Sequence, residues 1–270
     1  MVKIVSWNVN SVRARLQNVI DFIQTYQPDI LGLQEIKCVN EQFPLDVFED
    51  LGYNCHIFGQ KSYNGVALLS KMPMTDIQCG LPDFDLNSDN PQSRYIAGHI
   101  NFTLNNTSAS KGIEIINCYM PNGNPVDTPK HVYKLAWTRH LVDLIRQKID
   151  NQEAFILMGD FNIIPTDFDV HDPDGWQGDA LFRDDVKGLY RELNFMGLTD
   201  AIRHFYPSDP CFTFWDYQGR AREQDKGIRI DHFLVTPDIS EMMISASVID
   251  TVRDAPKASD HAPIILEMNA

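Results

Sequence analysis

The chain has 270 residues, 43% of them hydrophobic, and no polar linker divides it, so we expect one domain spanning residues 1–270. No apolar run approaches the roughly 18 residues of a membrane span, and no signal peptide precedes the first strand, which predicts a soluble, cytoplasmic protein. The formal net charge of −14 argues against indiscriminate polyanion binding, although one local basic stretch comprises Arg220, Arg222, Lys226 and Arg229.

The first half of the chain alternates short hydrophobic strands with a single clear helix. Residues 3–8 form the first predicted strand, and Leu16, Val19, Ile20 and Ile23 then recur at helical spacing until Pro28 ends the helix. Further strands are predicted at residues 30–33, 53–58, 65–70, 96–104 and 113–119, with a polar loop at residues 105–111.

The second half of the chain contains two longer helices and more strands. Helices are predicted at residues 131–149 and 185–194, the second ending at Gly197. The strands are predicted at residues 155–158, 228–235, 243–248 and 262–268. Because many strands follow one another directly, we expect mixed or antiparallel sheets packed in layers.

Polar side chains follow several of these strands at the point where each strand ends. A carboxylate on a buried strand is costly unless a cation or a set of hydrogen-bond donors compensates it. A turn or a capped loop explains any single case, but five cases in one chain favour a shared polar site at one edge of a layered sheet. The five strings are Ile4-Val5-Ser6-Trp7-Asn8-Val9-Asn10, Leu31-Gly32-Leu33-Gln34-Glu35, Ile156-Leu157-Met158-Gly159-Asp160-Phe161-Asn162, Ile228-Arg229-Ile230-Asp231-His232 and Ser259-Asp260-His261-Ala262-Pro263.

The side chains in these strings indicate the chemistry of the site. Carboxylate and amide oxygens suit a hard cation such as Mg²⁺ or Mn²⁺, and a histidine beside an aspartate can serve as an acid or a base. The five cysteines include no closely spaced pair, which argues against a zinc site and a disulfide framework, and we expect them to be reduced and mostly buried. These residues fit metal-assisted hydrolysis of a phosphodiester.

Taken together and in order, these strings resemble the exonuclease III family of the endonuclease/exonuclease/phosphatase superfamily. The resemblance spans nearly the whole chain and includes further strings between and beyond the five. They are Ser11-Val12-Arg13-Ala14, Tyr63-Asn64-Gly65-Val66-Ala67-Leu68-Leu69-Ser70, Asn117-Cys118-Tyr119-Met120-Pro121-Asn122-Gly123 and Phe214-Trp215-Asp216-Tyr217.

The resemblance implies an α/β fold, a four-layer α/β sandwich in which two packed mixed sheets are flanked by helices. It also implies a Mg²⁺-dependent phosphodiesterase, with Mn²⁺ as an alternative metal, that acts in base-excision repair. The expected activities are 3′→5′ exonuclease, 3′-end processing and incision at abasic sites. The expected partner is double-stranded DNA with nicks, 3′ ends or abasic sites, and we expect a monomer that does not bind membranes.

Site residues follow from the same resemblance, position by position. Glu35 resembles the principal metal ligand, and the other residues expected in the coordination shell are Asn8, Asn10, Asp160, Asn162 and Asp260. Asp160 is expected to orient or deprotonate the attacking water, or to protonate the leaving oxygen. The remaining catalytic residues are Asn162 and Tyr119, which would contact the phosphate, and His261 with its partner Asp231.

The expected DNA contacts are less uniform. Lys37, Arg94 and Arg229 resemble phosphate contacts, although each also fits a salt bridge. Phe214 fits a stacking wedge beside an extruded nucleotide and equally fits a core aromatic. Two positions depart from parts of the family, namely Asn122, which varies, and His171, a bulky side chain where other members carry a small one at the sugar pocket. His171 therefore puts abasic-site incision in more doubt than 3′-end processing.

Two other functions stay open at this point. A phosphatase or phosphodiesterase for lipids, inositol phosphates or RNA shares the metal site and the Asp-His pair. A non-catalytic DNA-binding or scaffold protein shares the fold, but we expect it to have lost one of the acidic or histidine residues, and none is missing here.

Overall fold

The computed structural model of the protein describes residues 1–84, 91–101 and 112–269. In these ranges the strands form two six-stranded sheets. The first sheet contains β1 (Val2–Asn8), β2 (Ile30–Gln34), β3 (Asn54–Phe58), β4 (Val66–Ser70), β11 (Met243–Val248) and β12 (Ile264–Met268). The second contains β5 (Thr75–Cys79), β6 (Tyr95–Ile100), β7 (Ile113–Tyr119), β8 (Phe155–Asp160), β9 (Thr199–Asp200) and β10 (Asp231–Val235).

The two sheets share one plan. In the first sheet the strand order is β11-β12-β1-β2-β4-β3, and in the second it is β5-β6-β7-β8-β10-β9. Each sheet has a parallel pair at its centre, β1 with β2 and β7 with β8, and antiparallel neighbours on both sides. The carboxyl ends of the parallel strands and the amino ends of their antiparallel neighbours therefore lie along one edge of each sheet.

Helices cover the outer faces of the sheets. The α-helices are α1 (Leu16–Tyr26), α2 (Leu45–Asp50), α3 (Pro129–Asp150), α4 (Asp184–Phe195), α5 (Ala201–Phe205) and α6 (Pro237–Ser240). Helices α1 and α2 pack on the first sheet, and α3 and α4 pack on the second. This arrangement is the expected four-layer α/β sandwich, with mixed sheets in the two inner layers.

Side chains along the central strands alternate between the two faces of the sheet, so one strand contributes to two hydrophobic cores. In β8, Ile156 and Met158 face the other sheet, whereas Phe155 and Leu157 face α3 and α4. Both faces of the strand are buried, so the strand reads as an almost continuous hydrophobic run. The side chain of Asp160 has the same parity as Met158 and therefore projects into the space between the sheets.

The predicted elements are confirmed with small shifts at their ends. The strand predicted at residues 228–235 begins only at Asp231, because Ile228 forms isolated bridges with Val170 and Phe214 instead of joining the ladder. The strand predicted at residues 262–268 begins at Ile264. Of the strand predicted at residues 96–104, the structure describes residues 96–101. Residues 102–104 and the loop predicted at residues 105–111 lie outside the described residues.

Two expectations about composition can be compared with the structure. All five cysteines are free, but Cys79 is exposed and two others are only partly buried, so the expectation that most are buried is wrong. Among the helices of the described ranges, none has both the length and the hydropathy that a membrane span requires.

Candidate active site at one edge of the two sheets

Polar side chains converge where the central parallel strands of both sheets end. Asp160, the last residue of β8, is aligned with Tyr119 of β7 on one side and with Asp231 of β10 on the other. In the facing sheet, Asn8 ends β1, and Glu35 directly follows β2. His261 lies three residues before β12, the antiparallel neighbour of β1. The ends of the parallel strands and the starts of their antiparallel neighbours thus place these side chains at one edge of the core between the sheets.

The same short turn follows β1 and β8. The Oδ1 atom of Asn8 accepts the backbone N–H of Asn10 at 3.0 Å, and Oδ1 of Asp160 accepts the backbone N–H of Asn162 at 2.9 Å. Asn10 and Asn162 both have left-handed backbone conformations, with φ of 45° and 50°. Short polar side chains stabilise such turns by bonding the backbone two residues on. Glu35, with φ of 52°, is also left-handed, so this backbone conformation recurs at the edge.

Asp160, Asp231 and His261 form a buried cluster. The Nδ1 atom of His261 lies 2.8 Å from Oδ2 of Asp231, and its Nε2 lies 3.7 Å from Oδ2 of Asp160. Each of the three residues is at most 4% exposed. Because a carboxylate only accepts, Nδ1 of His261 donates to Asp231, which fixes the orientation of the ring and directs Nε2 towards Asp160.

The cluster changes the acidity of its members in opposite ways. Burial raises the pKa of Asp160 to about 7, although the nearby His261 and the amide of Asn8 act to lower it. Burial lowers the pKa of His261, but the carboxylates of Asp231 and Asp160 outweigh burial and raise that pKa to about 10. A carboxyl group that titrates near neutral pH is well suited to general acid or base catalysis.

Asn8 links the two sheets through Asp160, whereas Asn10 contacts residues that flank strands of the first sheet. The Nδ2 atom of Asn8 donates to both Glu35 and Asp160, at 3.0 and 2.9 Å, and Nδ2 of Asn10 donates to Asp260 at 3.1 Å. Lys37 lies 2.6 Å from a carboxylate oxygen of Glu35 and donates to Oδ1 of Asn10 at 2.5 Å. Burial raises the pKa of Glu35, but Lys37 and the Asn8 amide together bring it below its ordinary value.

Tyr119 contacts the site through its hydroxyl. Burial raises the pKa of Tyr119 well above its usual value, and Glu35, which accepts the hydrogen bond of the hydroxyl, raises it further. The guanidinium of Arg94 lies over the tyrosine ring at 4.7 Å and donates to the Tyr119 carbonyl at 3.2 Å. Tyr119 is therefore part of the site even though its ring also packs against the core between the sheets.

Asn162 is held by two groups from the loop that follows β7. Its Nδ2 donates to the carbonyl of Met120 at 2.9 Å, and its Oδ1 accepts from Nδ2 of Asn122 at 3.2 Å. One hydrogen of the Asn162 amide has no partner in these two contacts and can donate to an anionic ligand at the edge.

A family model described as the endonuclease/exonuclease/phosphatase family matches residues 5–261. The chain belongs to this family. The recognised resemblance is thus confirmed, and the matched range includes every catalytic residue expected from it. Twenty-two curated proteins match at high significance.

Individual relatives of this endonuclease/exonuclease/phosphatase family member match along its full length. The chain is 33% identical to exodeoxyribonuclease III of Haemophilus influenzae, with 98% of this chain and 99% of that protein covered. It is 27% identical to an exodeoxyribonuclease of Bacillus subtilis, with 99% and 100% covered.

Solved structures agree with the fold. The 3′ phosphatase NExo from Neisseria, in complex with a product DNA hairpin, is 34% identical with a TM-score of 0.91 and full coverage of both chains. An AP endonuclease from Archaeoglobus fulgidus is 33% identical, also with a TM-score of 0.91 and full coverage.

The position of Arg229 contradicts its predicted contact with DNA phosphates. Arg229 is 1% exposed and donates to Asp169 at 2.6 Å and to Asp200 at 2.7 Å. Its Nη1 also lies 3.1 Å from Nδ1 of His232. Both carboxylates neutralise the guanidinium inside the protein, so the alternative interpretation, a buried salt bridge, is the correct one.

The local basic stretch is also largely neutralised. Arg220 pairs with Glu223, and Arg222 pairs with Asp250 at 3.0 Å. Together with the burial of Arg229, these pairs leave little free positive charge in the stretch. The sequence could not reveal this, because Asp250 and the partners of Arg229 are distant along the chain.

The two less certain DNA contacts, Phe214 and His171, lie in segments on either side of Ile228. The ring of Phe214 lies 5.0 Å from the ring of His261, and the residue is only partly buried. His171 is exposed, and its Nδ1 approaches the carbonyl of Gly227 at 3.2 Å. Ile228 forms bridges with both Phe214 and Val170, so it lies between the Phe214 segment and the segment that His171 follows. Their contact with DNA stays a prediction.

The residues present at the edge fit a hard divalent cation. Their carboxylates are Glu35, Asp160, Asp231 and Asp260, and one carboxylate oxygen, Oδ1 of Asp231, is buried without a hydrogen-bond partner in the described part of the chain. One ligand atom from each of Asp160, Asp231 and His261 lies within 4.8 Å of the others. The amide oxygens of Asn8 and Asn10 already accept hydrogen bonds, so carboxylates are the stronger candidates for coordination.

A cleft of about 620 Å³ opens beside this site. Its lining includes Arg94 and Asn122, which also contact Tyr119 and Asn162. The charged residues among those lining it, Arg94 and Lys130, are both cations. Local positive charge beside the carboxylates answers the objection that the overall acidity of the chain raises against a DNA substrate.

Two residues that support the site were not among those predicted from the sequence. The Oγ atom of Ser259 donates to the Asn8 carbonyl at 2.7 Å and accepts the N–H of His261 at 3.2 Å, which joins β1 to the His261 turn. Lys134 of α3 is fully buried beneath Asn162. Ser259 begins one of the five strings of polar residues, so its role could have been predicted from the sequence. Nothing in the sequence indicates that a lysine in a helix is buried.

Proposed function

We propose that this protein is a Mg²⁺-dependent DNA phosphodiesterase of the exodeoxyribonuclease III type that processes 3′ ends on duplex DNA. The observation that carries the proposal is the buried cluster of Asp160, Asp231 and His261 beside Glu35. The relatives that match the full chain include proteins named exodeoxyribonuclease and a 3′ phosphatase with a bound product DNA hairpin, which supports DNA as the substrate.

The metal site consists of Glu35 as the principal ligand with Asp260, and with Asn8, Asn10, Asp160 and Asn162 in or near the coordination shell. Mg²⁺, or Mn²⁺ in its place, supplies polarisation of a phosphoryl oxygen when bound. Glu35 is suited to this role because its pKa is lowered, so it stays ionised at neutral pH. Lys37, which contacts Glu35 and Asn10, then becomes available to a phosphate oxygen.

The Asp-His pair orients the substrate. Asp231 accepts the Nδ1 hydrogen of His261, so Nε2 of the imidazole faces the space beside Asp160, where a phosphate oxygen can accept its hydrogen bond. The raised pKa of His261 keeps the ring protonated at neutral pH, which favours an anionic ligand.

Asp160 accepts or donates the proton in the proposed reaction. Its pKa of about 7 lets it either deprotonate and orient an attacking water or protonate the leaving oxygen. The Asn162 amide and the Tyr119 hydroxyl contact the phosphate and stabilise the charge that develops on it.

DNA lies along the cationic cleft in this proposal. Arg94 contacts a backbone phosphate, Asn122 supports Asn162, and Phe214 stacks beside the terminal or extruded nucleotide. The substrates are double-stranded DNA with nicks, recessed 3′ ends, 3′ phosphates or abasic sites. A single domain over residues 1–270, a monomeric state and a cytoplasmic location stay predictions.

His171 sets the balance between the activities. Its exposed ring lies next to Gly227, in the segment that pairs with Phe214, and we expect a flipped abasic sugar to enter there. We therefore expect 3′-end processing to exceed abasic incision.

The test uses three duplexes, which carry a 3′ phosphate, a plain recessed end or an internal abasic analogue. Wild type and His171→Gly are assayed on each with Mg²⁺ and with EDTA. We expect EDTA to abolish all cleavage, wild type to favour the two 3′-end substrates, and His171→Gly to gain abasic incision. Equal abasic incision by both proteins would remove the role of His171 without affecting the rest.

The same assay separates the alternatives. A lipid or inositol phosphatase would turn over a lipid headgroup faster than nicked DNA, and an RNA-specific enzyme would prefer the matched RNA duplex. A non-catalytic scaffold would bind the duplexes and hydrolyse none of them in Mg²⁺. Any one of these three results would refute the proposed function.

A further inference from the structure

Lys134 is a lysine in a core position of α3. It belongs to the buried stripe that α3 presents to the second sheet, which includes Trp137, Thr138 and Leu141. Lys134 has no exposed surface. A lysine is almost never fully buried unless its amine is bound, because desolvation of the charged group is costly.

The amine of Lys134 joins the two loops that carry the Asn122–Asn162 contact. Nζ donates to the carbonyl of Asn162 at 2.5 Å and to the carbonyl of Asn122 at 3.0 Å. The side chains of these two asparagines bond each other at 3.2 Å on the opposite side. One amine therefore holds the backbones of two residues whose side chains meet at the site.

Asn162 is consequently fixed at every polar group of its backbone. Its N–H donates to Asp160, and its carbonyl accepts from Lys134. The residue is in the left-handed region, with φ of 50°, a conformation that persists when the surroundings determine it. Lys134 supplies the hydrogen bond on the carbonyl side.

The loop that precedes α3 is shaped to admit the lysine. A Cβ atom at Gly123 would lie 2.5 Å from Cδ of Lys134, and Gly123 has a φ of 87°.

Burial lowers the pKa of Lys134 to about 7. Both the ammonium and the neutral amine have at least two N–H groups, so the two hydrogen bonds form in either state.

We propose that Lys134 is a positioning residue that holds the Asn162 amide in the orientation needed to stabilise the developing charge on the phosphate. The inference rests on the proposed function. Lys134 does not touch the substrate, so its removal should lower kcat and leave KM nearly unchanged. A displacement of about 1 Å at a catalytic group costs on the order of 100-fold in rate, and we expect a loss of about 10- to 100-fold.

Lys148 provides a matched control. It lies on the same helix, about 21 Å further along the axis at 1.5 Å per residue. Its Nζ is 2.6 Å from Glu114, and its side chain is 14% exposed. Lys148→Met therefore removes a largely buried lysine from α3 without touching either asparagine, and we expect it to retain wild-type kcat whatever its effect on stability.

The decisive experiment is a double-mutant cycle in the presence of Mg²⁺. The proteins are wild type, Lys134→Met, Asn162→Ala and the double variant, assayed on the duplex with a 3′ phosphate. If Lys134 acts through Asn162, Lys134→Met should lower kcat in the wild-type background and change it less than about threefold in the Asn162→Ala background. An equal loss in both backgrounds, or no loss in either, would overturn the inference.

Two further measurements keep the inference testable if a variant misfolds or if the proposed substrate is wrong. Lys134→Leu, which also removes the amine, replaces Lys134→Met in the cycle if the latter does not fold. The side-chain amide resonances of Asn162, followed by NMR without DNA, should shift in the Lys134 variant and not in Lys148→Met. Absence of DNA hydrolysis by wild type would refute the proposed function alone, whereas unshifted Asn162 resonances would refute the role of Lys134.

Discussion

Two clusters of buried charge lie next to each other at the start of β10, and they differ in how the charge is balanced. The active-site cluster consists of Asp160, Asp231 and His261, and the Arg229 cluster consists of Asp169, Asp200, Arg229 and His232. Each carboxylate of the Arg229 cluster lies within 2.7 Å of the Arg229 guanidinium. In the active-site cluster the only basic group is a histidine, and Oδ1 of Asp231 has no hydrogen-bond partner in the described ranges.

The difference appears in the acidity of the carboxyl groups. Burial raises the pKa of Asp169, but Arg229 and Arg203 outweigh burial and hold that pKa well below its usual range. Burial raises the pKa of Asp160 to about 7, and no arginine opposes it. A buried carboxylate alone therefore does not identify a catalytic site. The nature of its partner separates a group that stabilises the fold from one that is able to exchange a proton.

The largest expected effect is the loss of activity in Asp160→Asn. The amide cannot accept or donate a proton, so we expect the rate on a 3′-phosphate duplex to fall by about 10²- to 10⁴-fold while DNA binding is retained. Stability should stay the same or rise, because the substitution removes a carboxylate whose charged form is disfavoured by burial. Asp200→Asn is the matched control, with lower stability and unchanged rate. Normal cleavage by Asp160→Asn would show that the assignment of roles is wrong.

The next effect is on stability, in Arg229→Met. The substitution leaves Asp169 and Asp200 buried without their shared cation, and breaking a buried pair in this way costs about 3–5 kcal/mol. Urea denaturation would measure the free energy of unfolding. A loss below about 1 kcal/mol would mean that the guanidinium is not needed to compensate the two carboxylates.

The Arg229 cluster should also give a pH dependence to stability. Because the pKa of Asp169 is lower in the folded protein than the unfolded value of about 4, its stabilisation is present above that value and is lost as the pH falls below it. The difference in unfolding free energy between wild type and Asp169→Asn should therefore be constant from about pH 8 to about pH 5 and shrink below about pH 4. A difference that stays constant to pH 3 would contradict this cause.

The smallest effect concerns exposed ion pairs between helices α3 and α4. Glu192 bridges Arg139 and Arg146, whose side chains are 50% and 45% exposed. Exposed ion pairs contribute about 0–1 kcal/mol, so Glu192→Gln should change the unfolding free energy by less than about 1 kcal/mol. A loss of unfolding free energy above about 1 kcal/mol would mean that exposed ion pairs stabilise this protein more than their exposure predicts.

The sequence predicts the central strands well because both of their faces are buried. Strands such as β8 read as continuous hydrophobic runs that end in polar residues, and these ends fix the location of the site. The edge strand β5 (Thr75–Cys79) was not predicted because most of its residues are exposed and show no hydrophobic alternation. Helix α5 was missed because its five residues are too short for a helical period.

The partners of charged side chains could not be read from the sequence. The string Ile228-Arg229-Ile230-Asp231 contains a residue of the Arg229 cluster and one of the active-site cluster. Nothing local indicates which side chain meets Asp169, which is 60 residues away. Similarly, Lys134 resembles an ordinary solvated lysine, and only the packing of α3 shows that its amine reaches the Asn162 loop.

The central claim is that the carboxylates left without an arginine hold a divalent cation. Mn²⁺ titration, followed by electron paramagnetic resonance, tests it directly in wild type, Glu35→Gln and Asp200→Asn. We predict that Glu35→Gln weakens Mn²⁺ binding by more than about tenfold and that Asp200→Asn binds like wild type. Unchanged binding in Glu35→Gln, or equal weakening in both variants, would contradict the account.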